Sequence, residues 1–165
     1  MSELKKITVT VKNYDNQVSG DIDSLYKKVR CEDAAGDTLY FKEIVMLNYL
    51  KRHGAIATDV PRTWYYKHLA KKSIVLVALE KNDGKVEYDL EHMRAVVKSS
   101  VLKGIMLAVA AVPAGLIIAT ATFGIGLAFI PVGLFYAYRS AFTIPGLLRR
   151  KTLVRELAEY GVVVR

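Results

Sequence analysis

Residues 104–137 contain no Asp, Glu, Lys, Arg or His, and this apolar run constrains the fold more than any other feature. About 20 apolar residues suffice for a helix to cross a bilayer. One straight helix over the whole run would be about 51 Å long, against a hydrocarbon core of about 30 Å. Two helices of about 16–19 residues that turn near residues 120–124 fit better. The sequence therefore predicts a transmembrane helical hairpin.

Basic residues flank this run on both sides, whereas the predicted turn carries no charge. Lys and Arg close to a span mark its cytoplasmic side. The N-terminus lacks the basic and apolar regions of a signal peptide. We therefore expect an inner (cytoplasmic) membrane protein with both termini in the cytoplasm. The flanking residues are Arg94, Lys98, Lys103, Arg139, Arg149, Arg150 and Lys151.

The hairpin contains a weak internal repeat of the form apolar-Pro-x-Gly-Leu-apolar. With a turn centred on Thr122, its two prolines would lie at equal depth, and a row of small residues would let the backbones approach closely. This pattern favours tight packing within one hairpin or between protomers. The alternative is a hinge or gate that lines a pore, although no ionisable residue marks a permeation path. The residues concerned are Ala111, Pro113, Gly115, Ala119, Pro131 and Gly133.

The first 90 residues contain short stretches of alternating apolar and polar residues separated by turn residues. Asn82-Asp83-Gly84 between two such stretches is a strong hairpin pattern. Five or six short strands favour a small antiparallel barrel-like domain of the OB or SH3-like kind. The predicted strands are residues 6–13, 26–32, 38–46, 61–68, 73–80 and 85–90.

The period changes to that of a helix after residue 90. We therefore divide this α+β membrane protein into a cytoplasmic β domain (1–90), a juxtamembrane helix with the hairpin (91–143), and a basic amphipathic tail (144–165). The apolar stripe of residues 147–160 predicts that the tail folds back onto the β domain or lies along the membrane surface. Residues 162–164 are a candidate strand that adds to an open sheet edge, either of this chain or of a neighbouring copy.

Residue patterns for catalysis or metal binding are missing from the sequence. The histidines stand apart, Cys31 is the only cysteine, and no nucleophile or phosphate-loop motif occurs. We therefore expect a protein that is not an enzyme, with no catalytic residue, metal site or cofactor.

Aromatic and basic residues alternate between Arg62 and Lys72, which suits contact with anionic lipid headgroups or an anionic ligand. The simpler interpretation is a strand whose Trp64 and Tyr66 fill the core while Lys67 and His68 face water. Together with the basic tail, the candidate contact residues are Arg62, Trp64, Lys67, Lys71, Lys72, Arg149, Arg150 and Lys151.

These patterns favour a membrane-anchored binding or assembly module that self-associates in the bilayer and holds an unidentified protein partner or ligand on its β domain. The first alternative is a membrane-permeabilising, pore-forming effector gated by that domain. A weaker alternative is a tethered barrel that binds nucleotides or nucleic acid, since a basic net charge of +8 also suits phosphates. Nucleic acid is the less favoured partner, because half of this charge flanks the membrane segment.

Overall fold

The computed structural model describes residues 3–164 of the chain. It divides into two compact units, Met1–Met93 with Arg150–Arg165, and Arg94–Arg149. We call the described part of the first unit the β domain and the second unit the hairpin. A β-sheet domain followed by two long apolar helices is the architecture that the sequence predicts.

The described part of the β domain holds seven strands and one short helix before the hairpin. The predicted strand positions agree with six of these strands, and the polar β2 lies within a segment that the sequence suggested was only a turn. Helix α1 ends before Gly54, whose φ of 80° suits a residue without a side chain. The elements are β1 Lys5–Asn13, β2 Asn16–Ser19, β3 Asp23–Asp33, β4 Thr38–Leu47, α1 Asn48–Arg52, β5 Pro61–Ala70, β6 Ser73–Glu80 and β7 Val86–Tyr88.

The pairings of five strands form a closed cycle. β1 pairs with β5, β5 with β6, β6 with β4, β4 with β3, and β3 with β1. All of these pairs are antiparallel except β4 with β6, which is parallel from Glu43 opposite Ser73 to Met46 opposite Leu76. The expectation of a wholly antiparallel sheet is therefore wrong at this pair. A parallel pair needs a crossover connection, and α1 with β5 supplies it.

The core lies on the inner face of this sheet. Trp64 is fully buried there, and its indole N–H donates a hydrogen bond to the Ala55 carbonyl oxygen at 2.9 Å. Strand β6 is buried on both faces, from Ser73 to Leu79. Because successive side chains of a strand point to opposite faces, a second layer must cover the outer face of β6.

Helix α2, Leu90–Ala121, begins in the β domain and continues as the first arm of the hairpin. Asp89 precedes it as predicted, and its Oδ1 accepts a hydrogen bond from the His92 N–H at 2.9 Å. The return arm contains a 3-10 turn Ile125–Ala128, α3 Phe129–Tyr138, a π-helical turn Arg139–Thr143 and α4 Ile144–Leu147. The predicted hairpin turn near residues 120–124 therefore agrees with the structure.

Helix α5, Arg150–Glu159, belongs to the β domain. Leu153 and Leu157 on one of its faces are fully buried, whereas Lys151 and Arg155 are exposed. Residues 162–164 form no strand, so their addition to the sheet of their own chain is wrong, whereas addition to a neighbouring copy stays a prediction. Arg165, the last residue of the predicted tail, lies outside the described residues.

Candidate functional site

The two arms of the hairpin expose their large apolar side chains. Both Leu90–Ala121 and Ile125–Leu147 are long and apolar enough to cross a membrane, and only 17% and 11% of their most apolar segments are buried. Phe123 at the tip is fully exposed. Apolar helices of this size inside a soluble monomer would be covered by protein. The arms therefore have the surface of helices that face lipid.

Small residues bring the two arms together. A Cβ added at Gly133 would lie 2.8 Å from the Cβ of Ala111, and one added at Gly115 would collide with the Ile130 side chain. At Gly126 the added atom would collide with the Ala119 backbone. The small residues of the predicted row thus lie in the contact between α2 and the return arm of the same chain.

The two prolines of the repeat lie outside this contact. Pro113 and Pro131 are both exposed, and α2 continues through Pro113 without a break. Pro131 occupies the first turn of α3. Backbone N–H groups in a first turn have no partner within the helix, so the missing N–H of proline costs no hydrogen bond there. Neither proline side chain lies between the arms.

The tip satisfies its backbone polar groups within the chain. Thr122 Oγ1 donates to the Ile118 carbonyl oxygen at 2.7 Å and accepts from the Gly126 N–H at 3.0 Å. Gly124 adopts a φ of 96° in the turn, which favours glycine. Backbone groups that enter hydrocarbon must be paired internally, so this turn suits an apolar environment.

Two serines join the arms near the other end of the hairpin. Ser100 Oγ donates to the Ser140 carbonyl oxygen at 2.9 Å, and Ser140 Oγ donates to the Ser100 carbonyl oxygen at 2.9 Å. Ser140 lies in the π-helical turn, whose wider winding leaves a carbonyl free to accept such a bond. This reciprocal pair fixes the register of the two arms.

Helix α5 is held against the outer face of β5 by an ion pair. Lys67 Nζ lies 2.6 Å from Glu156 Oε2, and the side chains are only 1% and 11% exposed. Val75 of β6 is the partner of Lys67 in the sheet, so the two side chains share this face. Helix α5 therefore supplies the second layer that the fully buried β6 requires.

A tyrosine at the end of the tail completes this contact. The Tyr160 hydroxyl donates to the Leu4 carbonyl oxygen at 3.0 Å, and its ring meets that of Tyr65 edge to face at 5.7 Å. For residues 150–164, these contacts confirm the prediction that the tail folds back onto the β domain. Residues 144–149 of the predicted tail belong to the hairpin. The basic residues Arg149, Arg150 and Lys151 remain exposed.

The predicted contact residues between Arg62 and Lys72 lie in different parts of the β domain. Trp64 and Lys67 are buried, one in the core and one under α5, so neither can contact lipid or a surface ligand, and this expectation is wrong for both. Arg62 lies near the β6–β7 turn and donates to Asn82 Oδ1 at 3.3 Å. Lys71 and Lys72 lie in the β5–β6 turn and are exposed.

Lys72 faces a broad groove of about 980 Å³ that we call the basic concavity. Its residues come from the segment before β2, from β3, from β4 and from the β5–β6 turn. Sequence analysis missed it because the contributing strands are distant along the chain; the only local pattern was Tyr40-x-Lys42 at alternate strand positions. The lining residues are Asp15, Lys27, Lys28, Tyr40, Lys42, Glu43 and Lys72.

A buried carboxylate, Glu87, organises the opposite side of the β domain. It accepts hydrogen bonds from the Tyr49 hydroxyl at 2.7 Å and from Lys81 at 3.3 Å, and Lys85 Nζ lies 2.9 Å away. The hydrogen bond from Lys85 is the largest of the effects that lower the pKa of Glu87 to about 2. The same carboxylate raises the pKa of Tyr49 to about 12. These saturated contacts are typical of a structural network.

The described residues 3–164 contain no group of three His, Cys, Asp or Glu side chains that could hold a metal ion. Comparison of the chain with protein-family models, curated proteins and solved structures gives no match. The exposed apolar hairpin and the basic concavity are thus the two features from which a function can be argued.

Proposed function

We propose that this protein is a non-enzymatic binding and assembly module that its helical hairpin anchors in the inner (cytoplasmic) membrane. The observation that carries the proposal is the exposure of apolar side chains along both arms of the hairpin. In water these side chains would have to be covered by other copies, whereas in a bilayer they face hydrocarbon without cost.

The β domain contains segments from both ends of the chain, and this supports a topology with both ends on one side of the membrane. The chain leaves this unit after Met93 and returns to it at Arg150. Segments that fold together must share a compartment, so the intervening chain crosses the bilayer an even number of times. The positive-inside rule favours the cytoplasm for that compartment, since Lys98, Lys103 and Arg149 flank the apolar run.

The start of α5 supports a contact with anionic lipid. Arg150 and Lys151 occupy the first turn of this helix, where the positive end of the helix dipole disfavours cations. Arg149 and Lys151 are exposed, and Arg150 lies 3.7 Å from Glu91 Oε1. Basic residues at a membrane surface gain about 1 kcal/mol each from anionic headgroups, which offsets the unfavourable dipole.

The closed cycle of strand pairings supports a small barrel of the OB kind, which has five strands. Such a domain has few free edges and presents a rigid surface for a ligand. Self-association is a further part of the proposal. Because Ala111, Gly115 and Ala119 are used within the hairpin, an oligomer would form through its outer, lipid-facing surfaces.

Site-specific labelling tests the proposed topology in intact cells. Single cysteines at Ser2, Phe123 and Arg165 are introduced in a Cys31→Ala background and treated with a membrane-impermeant maleimide. We expect residues 2 and 165 to label only after the inner membrane is permeabilised, and the protein to stay in the membrane after alkaline extraction. Labelling of residues 2 and 165 from opposite sides, or release by alkali, would contradict the proposal.

A pore-forming effector is the second candidate, and the uncharged tip of the hairpin favours it. Residues 120–126 could enter a bilayer without moving any charge across it, and Phe123 is fully exposed there. Release of a trapped dye from vesicles after addition of the purified protein tests this candidate. An anchored module leaves the dye inside, whereas a pore-forming effector releases it and loses this activity when residues 104–137 are deleted.

A further inference from the structure

We infer that the basic concavity of the β domain binds a nucleotide, with the phosphates held by Lys28, Lys42 and Lys72 and the base stacked on Tyr40. The site deepens the proposed function by naming the ligand class of the binding module. It rests on the β domain alone and would stand even if the membrane topology were different.

The concavity gathers positive charge from three separate parts of the chain. Four lysines line it against two carboxylates. Lys28 Nζ is 3.0 Å from Asp15 Oδ2, whereas Lys27 and Lys42 make no ion pair with any described residue. An open groove with surplus positive charge attracts anions, and phosphate is the anion that lysine clusters most often meet.

The backbone holds the lysines in place. Lys28 of β3 and Lys42 of β4 lie on neighbouring strands where the ladder is interrupted, between the pairs Lys27 with Glu43 and Val29 with Phe41. The Lys42 N–H donates to the Lys72 carbonyl oxygen at 2.8 Å, which fixes the β5–β6 turn beside β4. Both lysines line the same groove, and like charges brought close together repel one another, so a bound anion would stabilise this arrangement.

Lys28 also has a strained backbone. Its φ is 50°, in the left-handed region that residues with a side chain seldom adopt. Because the residue is a lysine and not a glycine, its side chain adds to the cost of this conformation. The side chain is exposed at the rim of the groove. Such conformations persist where the surrounding structure imposes them, and they recur at binding sites.

Tyr40 supplies the part of the site that would recognise a base. Tyr40 is 47% exposed on β4, and Lys72 Nζ lies 5.8 Å from the ring centroid. An exposed aromatic ring beside cations matches the two chemical parts of a nucleotide, a flat base and a charged phosphate. A lipid headgroup or inorganic phosphate would use the lysines but would gain nothing from stacking on the ring.

Within the β domain, the groove and the strand that leads into α2 adjoin opposite ends of β6. Lys72 and Glu43 adjoin the Ser73 end of β6, whereas β7, which leads into α2, pairs with the Glu80 end. Eight residues of extended chain separate these ends by about 25 Å.

Fluorescence anisotropy with the full chain in lipid nanodiscs tests the inference. The probes are a fluorescent adenosine triphosphate and a labelled single-stranded oligonucleotide, and the competitors are inorganic triphosphate and vesicles that contain anionic lipid. We expect nucleotide binding that weakens as salt rises. Tyr40→Leu should weaken it about fivefold or more, whereas Tyr40→Phe, which keeps the ring, should change it less than twofold.

Lys42→Gln should weaken binding about fivefold, and Lys5→Gln, an exposed lysine on β1 outside the groove, is the matched charge control. If the oligonucleotide binds more tightly and Tyr40→Leu weakens its binding to the same extent, the natural ligand is a nucleotide within a single-stranded nucleic acid. The inference is overturned if inorganic triphosphate competes equally while Tyr40→Leu has no effect, if only anionic vesicles bind, or if Lys5→Gln weakens binding as much as Lys42→Gln.

Discussion

The ammonium group of Lys67 on β5 lies 2.6 Å from the carboxylate of Glu156 on α5, and both groups are withdrawn from solvent. The two residues lie on opposite sides of the membrane segment in sequence. Their contact therefore joins the N-terminal strands to the C-terminal tail, although the hairpin separates the two in sequence. Desolvated charges are expensive unless they are paired, so each residue depends on the other.

Lys67→Met should reduce the free energy of unfolding of the β domain by about 3–5 kcal/mol, because it leaves the carboxylate of Glu156 buried and unpaired. The double variant Lys67→Met/Glu156→Leu should recover most of this loss. Trp64 is the only tryptophan and lies in the core, so its fluorescence in detergent reports the unfolding of this domain. Lys28→Met, at the exposed pair with Asp15, is the control and should reduce the free energy of unfolding far less than Lys67→Met. Equal losses for Lys28→Met and Lys67→Met would contradict the role of burial.

Periodicity and composition were enough to predict β1, β6, the hairpin turn and the helical tail. Each of these depends on a pattern within a few neighbouring residues, such as the charge-free run or the turn at Gly84. The parallel pairing of β4 with β6 and the burial of Lys67 could not be predicted in this way. Both depend on partners far along the chain, and a lysine on a strand gives no local indication that a glutamate from another element will cover it. The basic concavity was missed for the same reason.

Gly126→Val should destabilise the hairpin by about 1–3 kcal/mol, because the added atoms would overlap the Ala119 backbone where the arms touch. Helical circular dichroism during titration with a denaturing detergent measures the change. Gly146→Ala is the control, since nothing lies within 4 Å of an added Cβ at that position. Indistinguishable titration midpoints for the two variants would show that the arms do not pack through Gly126.

Cys31 should resist thiol reagents in the native protein. It is fully buried in the core, and burial raises the pKa of its thiol to about 12, so almost no thiolate is present at neutral pH. We expect labelling by a maleimide to be slow in buffer and to accelerate about a hundredfold or more in urea that unfolds the β domain. Mass spectrometry over time measures both rates. The variant Ser99→Cys/Cys31→Ala, whose single cysteine is at an exposed position, provides the reference rate. Labelling of Cys31 in the native protein at that rate would contradict its burial in the core.

Acid should weaken the β domain through Glu87. The hydrogen bonds from Lys85 and Tyr49 lower the pKa of this carboxyl group from 4.5 to about 2 in the folded state. Between these two values the unfolded chain binds a proton that the folded chain does not, so protonation favours unfolding. The resulting stability, on the order of 2 kcal/mol, is complete above about pH 4.5 and disappears as the pH falls towards 2.

Urea unfolding followed by Trp64 fluorescence between pH 2.5 and 6 measures this contribution. Glu87→Gln should lower the free energy of unfolding at pH 6 and flatten its dependence on pH, because the variant has no carboxylate to protonate. Glu159→Gln removes an exposed carboxylate at the end of α5 and should leave the pH dependence of the wild-type protein nearly unchanged. A Glu87→Gln variant that keeps the full acid dependence would show that other carboxylates carry it, and the network around Tyr49 would then have no role in acid stability.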